Sequence, residues 1–492
     1  MQAGFESDAS GAVGVPSPRR VTFVLTDPPT AEEARDGGAL APRELLAAAG
    51  AVRGDEGVRA AGVDRFGVLD RRIERLSEAG AAERARAAGA FAVVLSAVRA
   101  GRPAGEGLAD LIGVGRRLAA SDDPVRIALI GDRREDAEAI LRARAADVVL
   151  LGEPGETLPR AVERAALAPS GHRKSAWEGL RGAWWREANG ELAAGAAARP
   201  APLDEAPAWD LVDLDRYASP APEPGVLHPA RTARRTARAA TIVTSRACAP
   251  GCRTCHQSFG STARDRDARD VIAEIRDLVH RRGVRRLVIA DHGFDGRPAR
   301  AAEIARAVAR LRSAPGRASL SLSFPNGLRG DGLTPEVVEA FTQAGVRRFP
   351  LRVVTASRRL QRLLKSNIDP AEVGRGIERV AAAGGALAHL ELRLGLPTET
   401  AGEAAATIRW ARSTRAHTAA FLPGREVDLG PAWTAVHEDD LDDFPALRRR
   451  ALLAFYSRPR RAALLSRSLP RILPELLSGG RPPLARAPGG II

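Results

Sequence analysis

Six times between residues 241 and 423, a short run rich in β-forming residues is followed by a stretch with helical periodicity. The runs are Thr241–Ser245, Arg285–Asp291, Ser319–Pro325, Arg348–Val354, Ala386–Leu396 and His417–Pro423. Helical patterns occupy Ala268–Arg282, Arg300–Arg312, Thr334–Ala344, Pro370–Ala383 and Glu403–Arg412. Strands that alternate with helices pair in parallel through right-handed crossovers. Six such units predict an α/β unit, a partial (β/α)6 barrel or an open parallel sheet, over residues 241–440. In either form the loops after the strands converge on one edge, where ligands of such folds bind.

The same grammar occurs earlier. Val21–Asp27, Phe91–Val98, Val125–Asp132 and Asp147–Glu153 are buried-type strands, with helix-period stretches near 71–89, 105–119 and 134–145. They predict a doubly wound parallel sheet over residues 21–166. Residues 35–70 are broken by Gly and Arg and give no clear period. Residues 1–20 are small and polar, the composition of a disordered tail. Within 167–240, Trp184, Trp185 and Asn189-Gly190 predict a small hairpin. A connector bearing Pro200, Pro202, Pro207, Pro220, Pro222 and Pro224 follows. Residues 441–492 read as a helical, arginine-rich tail.

Composition narrows the class. No uncharged apolar run approaches the ~18 residues of a membrane span, and the N-terminus lacks the apolar core of a secretory signal. The expectation is a cytoplasmic protein without a membrane span. The net charge of +14 raises the question of nucleic acid. Yet Lys174 and Lys365 are the only lysines, and the arginines are dispersed beside acids along helices, the pattern of a solvated face. Only Arg448–Arg461 is a concentrated basic stretch, so a nucleic-acid partner is disfavoured.

All three cysteines fall within eight residues, as Cys248-x-x-x-Cys252-x-x-Cys255 in the loop after the first barrel strand. An odd, clustered set in a reducing compartment is not a disulfide framework. Iron–sulfur clusters are held by cysteine thiolates, normally four for a 4Fe–4S cluster. Three thiolates leave one iron open to another ligand, such as the amino and carboxylate groups of S-adenosylmethionine (SAM). Pro250 and Gly251 allow the tight turn that points three sulfurs inward. Two other readings use the same residues. Zinc could take the three thiolates and His256, although structural zinc sites usually come as separated pairs. Cys252-Arg253-Thr254-Cys255-His256 also fits the haem-attachment pattern, which leaves Cys248 unexplained.

The cysteine spacing, followed by these β/α units, resembles the radical SAM superfamily, and within it the members with an N-terminal cobalamin-binding domain. Leu151-Gly152-Glu153-Pro154-Gly155-Glu156-Thr157-Leu158 is similar to the segment that closes that domain. Pro207–Tyr217 (PAWDLVDLDRY) is similar to the interdomain segment. Ile289–Phe294 (IADHGF), Ser323–Arg329 (SFPNGLR) and Gly395–Thr400 (GLPTET) resemble the ends of the second, third and fifth barrel strands. The chain also departs from the pattern. Thr254 stands where an aromatic residue usually precedes the last cysteine, and Val353-Val354-Thr355-Ala356-Ser357 carries no acid where the family has one. Gly131-Asp132-Arg133-Arg134 replaces a G-G-P-H turn.

The resemblance implies a 4Fe–4S cluster on Cys248, Cys252 and Cys255, with SAM at the barrel's carboxyl edge beside Asp291, Asn326, Ser357 and Gly395. There Asn326 and Ser357 would hydrogen-bond ribose hydroxyls, and Gly395 would let the nucleoside approach. A plain Asn326-Gly327 turn is the competing reading, and His292 is a proton carrier or a polar loop residue. It also implies cobalamin against Asp27, Ser96, Gly131, Glu153, Glu156 and Thr157. No D-x-H-x-x-G motif is present to supply a histidine to cobalt, and no G-x-G-x-x-G follows Val21–Asp27 to suggest a dinucleotide. In such enzymes the reduced cluster cleaves SAM to methionine and a 5′-deoxyadenosyl radical that abstracts hydrogen from an unreactive carbon. The common outcome with cobalamin is methylation of that carbon in a small-molecule substrate, with an electron donor such as flavodoxin or ferredoxin. Cobalamin-independent chemistry, including RNA modification, and a non-catalytic iron–sulfur scaffold are the alternatives. No residue is assigned a catalytic role.

Overall fold

Two parallel β/α arrays follow one another along the chain. In the computed structural model the described residues are 19–28, 39–97, 107–119, 124–131, 133–153, 155, 157–168, 175–200, 203, 206–217, 238–247, 252, 263–384, 386–424 and 443–461. The tail before residue 19, Glu156, Pro202, Pro220, Pro222, Pro224, Cys248, Cys255, His256 and residues 462–492 lie outside them.

The first array runs β1 (Arg19–Leu25), α1 (Arg43–Gly54), α2 (Glu56–Ala60), β2 (Val63–Asp70), α3 (Arg71–Glu74), α4 (Glu78–Ala87), β3 (Ala92–Ser96), α5 (Leu108–Leu118), β4 (Val125–Ile130), α6 (Arg134–Arg142), β5 (Val148–Leu151) and α7 (Thr157–Leu167). Its strands lie in the order β2-β1-β3-β4-β5, all parallel. Alternate residues of one strand enter different cores. Val21, Phe23 and Leu25 face α1 and α7, while Val24 faces the side covered by α4 and α5. That two-sided burial makes the strands continuously apolar, as the doubly wound reading requires.

Two findings differ from the sequence expectation. The unassigned stretch 35–70 supplies α1, α2 and the edge strand β2. Asp64 and Arg65 of β2 face solvent, so its pattern lacks the apolar run of the central strands. The hairpin β6 (Ala183–Arg186) and β7 (Leu192–Ala194) is not separate from the sheet. It pairs antiparallel with β5, Val148 opposite Trp185, and covers an edge that would otherwise be open.

The second array contains β8 (Ala239–Ile242), β9 (Ser245–Arg246), β10 (Arg264–Asp265), α8 (Ala268–His280), β11 (Arg286–Ile289), α9 (Pro298–Arg312), β12 (Ser321–Ser323), α10 (Pro335–Gln343), β13 (Arg348–Val354), α11 (Arg358–Leu363), α12 (Pro370–Ala383), β14 (Leu387–Leu394), α13 (Ala401–Ser413), β15 (Thr418–Pro423) and α14 (Phe444–Tyr456). All six predicted barrel strands are present. They form two three-stranded parallel sheets, β8-β11-β12 and β13-β14-β15, joined by a parallel bridge between Leu328 and Leu351. β12 is short because Phe324-Pro325 leaves the ladder, and Pro325 has no N–H to give it.

Several helices begin where a side chain satisfies their free N–H groups. Thr334 caps α10, with Pro335 at its first position, and Thr400 with Glu403 forms a capping box on α13. Between the helices and the outer face of the strands lies an aromatic stack. Phe341 has ring centroids 5.0 Å from Phe324, 5.8 Å from Phe294 and 5.9 Å from Phe349. At the C-terminal end α14 packs on β15. Arg461, within the basic stretch, is buried against the Phe455 ring and donates to the carbonyls of Thr414 and Ala416. Among the described residues no helix is long and apolar enough to cross a membrane.

Phe341→Ala removes the centre of the stack. The expected loss is about 3–5 kcal/mol of unfolding free energy, measured by urea denaturation.

Candidate functional site at the carboxyl edges of the two sheets

The barrel's carboxyl edge is built around one buried acid. Asp291, just beyond β11, accepts hydrogen bonds from the Thr244 amide at 2.7 Å, the Thr244 hydroxyl at 2.5 Å and the Ser245 hydroxyl at 2.8 Å. Burial raises its pKa, and these donors oppose the rise. Arg300, on α9, donates to the Thr244 hydroxyl at 2.9 Å and to the carbonyls of Thr244 and Arg266 at 3.0 and 2.8 Å. The Arg266 amide in turn donates to the Thr244 carbonyl. β9 and β10 then pair antiparallel, Ser245 opposite Asp265 and Arg246 opposite Arg264. They form the stem of the segment that carries the three cysteines. Ala247, directly before Cys248, has φ 56°, unusual for a residue with a side chain. Cys252 is half-buried.

The same edge collects further sequence-predicted residues. Asn326 is buried; its amide nitrogen donates to the Ala290 carbonyl at 2.6 Å, and its Oδ1 is buried without a hydrogen-bond partner. Gly395 has φ 73°, so a side chain there is strained whatever surrounds it. Ser357 differs from the free hydroxyl expected of a ribose contact. It caps α11 by accepting from the Leu360 amide at 3.2 Å and donates to Glu403 at 2.6 Å. Thr355 is buried against Thr407 at 3.1 Å, and His292 is half-buried. Val354, at the register shift that ends β13, has φ 69°, an outlier for a β-branched residue, and Thr398 has φ 63°. Ala247, Val354 and Thr398 thus place strained backbone on the loops of one edge, where such conformations often serve function.

Sequence reasoning passed over Glu399. Its Oε2 accepts from the amides of Gly395 at 2.6 Å and Leu396 at 3.1 Å, while Oε1 is buried without a partner. Burial lifts its pKa to about 7. Its place in the GLPTET segment was the available signal, but the glycine drew attention instead. Deeper in the barrel, the inner face carries Arg352 and Glu391, paired at 3.0 Å, and a fully buried His389. Burial and Arg348 hold the His389 pKa down to about 3, so this imidazole is neutral.

In the first sheet the strand order reverses between β1 and β3, the position at which ligands bind in sheets of this order. Asp27 and Ser96 lie there, both buried, and Thr26 donates twice to the Ser96 carbonyl. Gly131 and Gly152 end β4 and β5. Gly152 has φ 85°, and a Cβ built on it meets nothing within 4 Å among the described residues, so the space beside Gly152 is open there. Thr157 is buried in the first turn of α7.

The two edges are joined. Glu153, just past β5, pairs with Arg246 at 3.3 Å and with Arg264, on the two arms of the cysteine stem. Glu44 of α1 also pairs with Arg246. Trp209, in the interdomain segment, is buried and donates to Glu274 of α8 at 3.0 Å.

Comparison with known proteins gives a family for the barrel. Residues 242–411 match the radical SAM superfamily. They form a radical SAM domain. Among curated proteins, none matches the chain. Two solved structures share the fold over most of the chain. One is the radical SAM methyltransferase TsrM from Kitasatospora setae, with cobalamin and a 4Fe–4S cluster bound, at 16% identity and TM-score 0.59, covering 82% of this chain and 72% of that one. The other is OxsB, a cobalamin-dependent SAM radical enzyme with aqua-cobalamin and SAM bound, at 13% identity and TM-score 0.56. It matches 90% of this chain, which spans only 58% of OxsB. At these identities the likeness establishes the fold: a Rossmann-type domain preceding the radical SAM domain.

Glu399 generates a pH prediction. Its folded pKa lies above the ordinary 4.5, so the folded protein binds the extra proton between these values. That contribution is complete below about pH 4.5 and is lost as pH rises through about 7. Glu399→Gln mimics the protonated acid. In urea unfolding it should match the parent protein near pH 5 and exceed it at pH 8, by up to about 3 kcal/mol; parallel pH profiles would show that Glu399 does not titrate this way.

Proposed function

We propose that the chain is a cobalamin-dependent radical SAM enzyme that methylates an unactivated carbon of a small molecule. The observation that carries the reading is the joining of two carboxyl edges, one bearing the cysteine segment and the other a glycine-lined opening, by a buried ion-pair contact. A cluster on Cys248, Cys252 and Cys255 suits the donor set, since three thiolates leave one iron for SAM. Asn326 Oδ1 and Glu399 Oε1, buried oxygens without partners, suit a ligand that brings hydrogen-bond donors, and Gly395 keeps that approach free of a side chain. Asp291 acts one step away, by fixing the strand end from which the cysteine segment leaves.

Cobalamin would lie over Asp27, Ser96, Gly131 and Gly152, with Glu156 and Thr157 following, and the open space above Gly152 suits a flat ring system. Bound there, it would supply the methyl group, and an electron donor such as flavodoxin or ferredoxin would supply reducing equivalents. The protein's own residues bind, orient and screen the reactants. Arg352, His389 and Glu391 offer a substrate polar groups on the barrel's inner face, with His389 neutral as acceptor or donor.

Anaerobic reconstitution tests the reading. Purified protein should bind about four irons with matching sulfide and cleave SAM to 5′-deoxyadenosine. Alanine at Cys248, Cys252 or Cys255 should abolish both. Hydroxocobalamin should be retained through gel filtration, and its Co(II) spectrum should lack nitrogen hyperfine splitting from an axial imidazole. A zinc-only protein sinks the reading, and full iron without SAM cleavage leaves the scaffold alternative.

A further inference from the structure

Glu153 is expected, by its position at the end of β5, to face the first domain's ligand. Its carboxylate is used elsewhere. The stem of the cysteine segment is only two residue pairs long, and such a ladder has little stability of its own. One of the two pairs sets Arg246 directly opposite Arg264, an arrangement of like charges that repels. Glu153 reaches across the domain boundary and pairs with both arginines through one oxygen, and Glu44 takes a further side of Arg246. These side chains are between 7% and 20% exposed, so solvent screens the repulsion poorly. Glu153 and Glu44 thus bring two carboxylates to two poorly solvated arginines, and removal of Glu153 takes away the acid that contacts both.

We propose that Glu153 is a positioning residue for the metal site: through Arg246 and Arg264 the first domain holds the two arms of the cysteine stem together. Arg246 lies two residues before Cys248 and Arg264 nine after Cys255, so the spacing of the arms sets where the cysteine segment starts and ends. The inference rests on the cluster reading above for its consequence, but the stem contact is independent of it.

The test is a double-mutant cycle of Glu153→Gln, Arg264→Gln and both together, in the full-length reconstituted protein. Two quantities are read: the rate of iron loss to a ferrous chelator and the reduction potential of the cluster. Glu153→Gln should release iron about ten-fold faster, and its potential should rise, because loss of a negative charge nearby favours the reduced cluster. Arg264→Gln should also release iron faster but lower the potential. The double variant restores the charge balance and should return both quantities towards the parent. Opposite shifts that cancel are not produced by general loosening of the fold. Unchanged iron release and potential in Glu153→Gln, or a double variant as impaired as the singles summed, overturns the proposal.

If no cluster assembles, the function reading fails while the inference stays testable in metal-free protein. There, amide hydrogen exchange at residues 245–246 and 264–265 should speed up in Glu153→Gln and recover in the double variant. Equal exchange in parent and variant overturns the inference. Should Glu153→Gln be insoluble, the charge-swapped pair Glu153→Arg with Arg264→Glu replaces it, and exchange as fast in that pair as in Arg264→Glu alone overturns it.

Discussion

A carboxylate taken out of water must be surrounded by donors, and the barrel's carboxyl edge is organised by meeting that demand at Asp291. Its three donors come from Thr244 and Ser245, the residues at which β8 turns into the cysteine segment. Once Thr244 is fixed, Arg300 can bind both its hydroxyl and its carbonyl, and the same guanidinium reaches the Arg266 carbonyl on the returning arm. Outgoing and incoming chain are thus tied to β11 and α9 by side chains rather than by a long ladder. Each bond is worth little alone. In a buried network the cost of leaving any member unpaired makes them act as a unit.

The parallel topology explains why this network and the strained residues share one edge. Crossover helices return every strand in the same direction, so the loops that follow β8, β11, β13 and β14 all open on the same side. Ala247, Val354 and Thr398 sit on three of those loops with positive φ. The apolar packing between the strands and their helices backs this rim, and Phe294 and Phe324 of the stack around Phe341 follow β11 and β12.

What could be read from the sequence follows the same physics. Strands buried on two faces announce themselves, and β1, β3, β4 and β5 were legible for that reason. β13 was legible from the alternation of Phe349, Leu351 and Val353 with Arg348, Pro350 and Arg352. β2 was not, because an edge strand with Asp64 and Arg65 in solvent keeps only part of the pattern. α11 was missed because it is short and arginine-rich and buries only Leu360 and Gln361. In the site, the cysteines were visible because their chemistry depends on local spacing. The roles of Glu153 and Asp291 were not, because their partners are distant in sequence: 93 and 111 residues separate Glu153 from Arg246 and Arg264, and 46 and 47 residues separate Asp291 from Ser245 and Thr244.

The missing acid at the end of β13 is the most informative departure from the family pattern, and the structure shows what occupies its surroundings. Thr355 and Ser357 turn to α13, where they meet Thr407 and Glu403. Two carboxylates from the loop and helix after β14 therefore stand close to the place where β13 supplies none. Their environments drive them apart. Burial opposes ionisation of Glu403, but hydrogen bonds from Arg359 and Ser357 outweigh it and carry its pKa down to about 2. Glu399 has burial without a cation in direct contact, only two main-chain donors on one oxygen, and its pKa goes up to about 7. Glu403 is thereby a fixed structural anion that holds α11 and α13 together. Glu399 keeps a bare oxygen and a proton that is exchangeable near neutrality, which makes it the acid of this edge whose state a bound ligand can change.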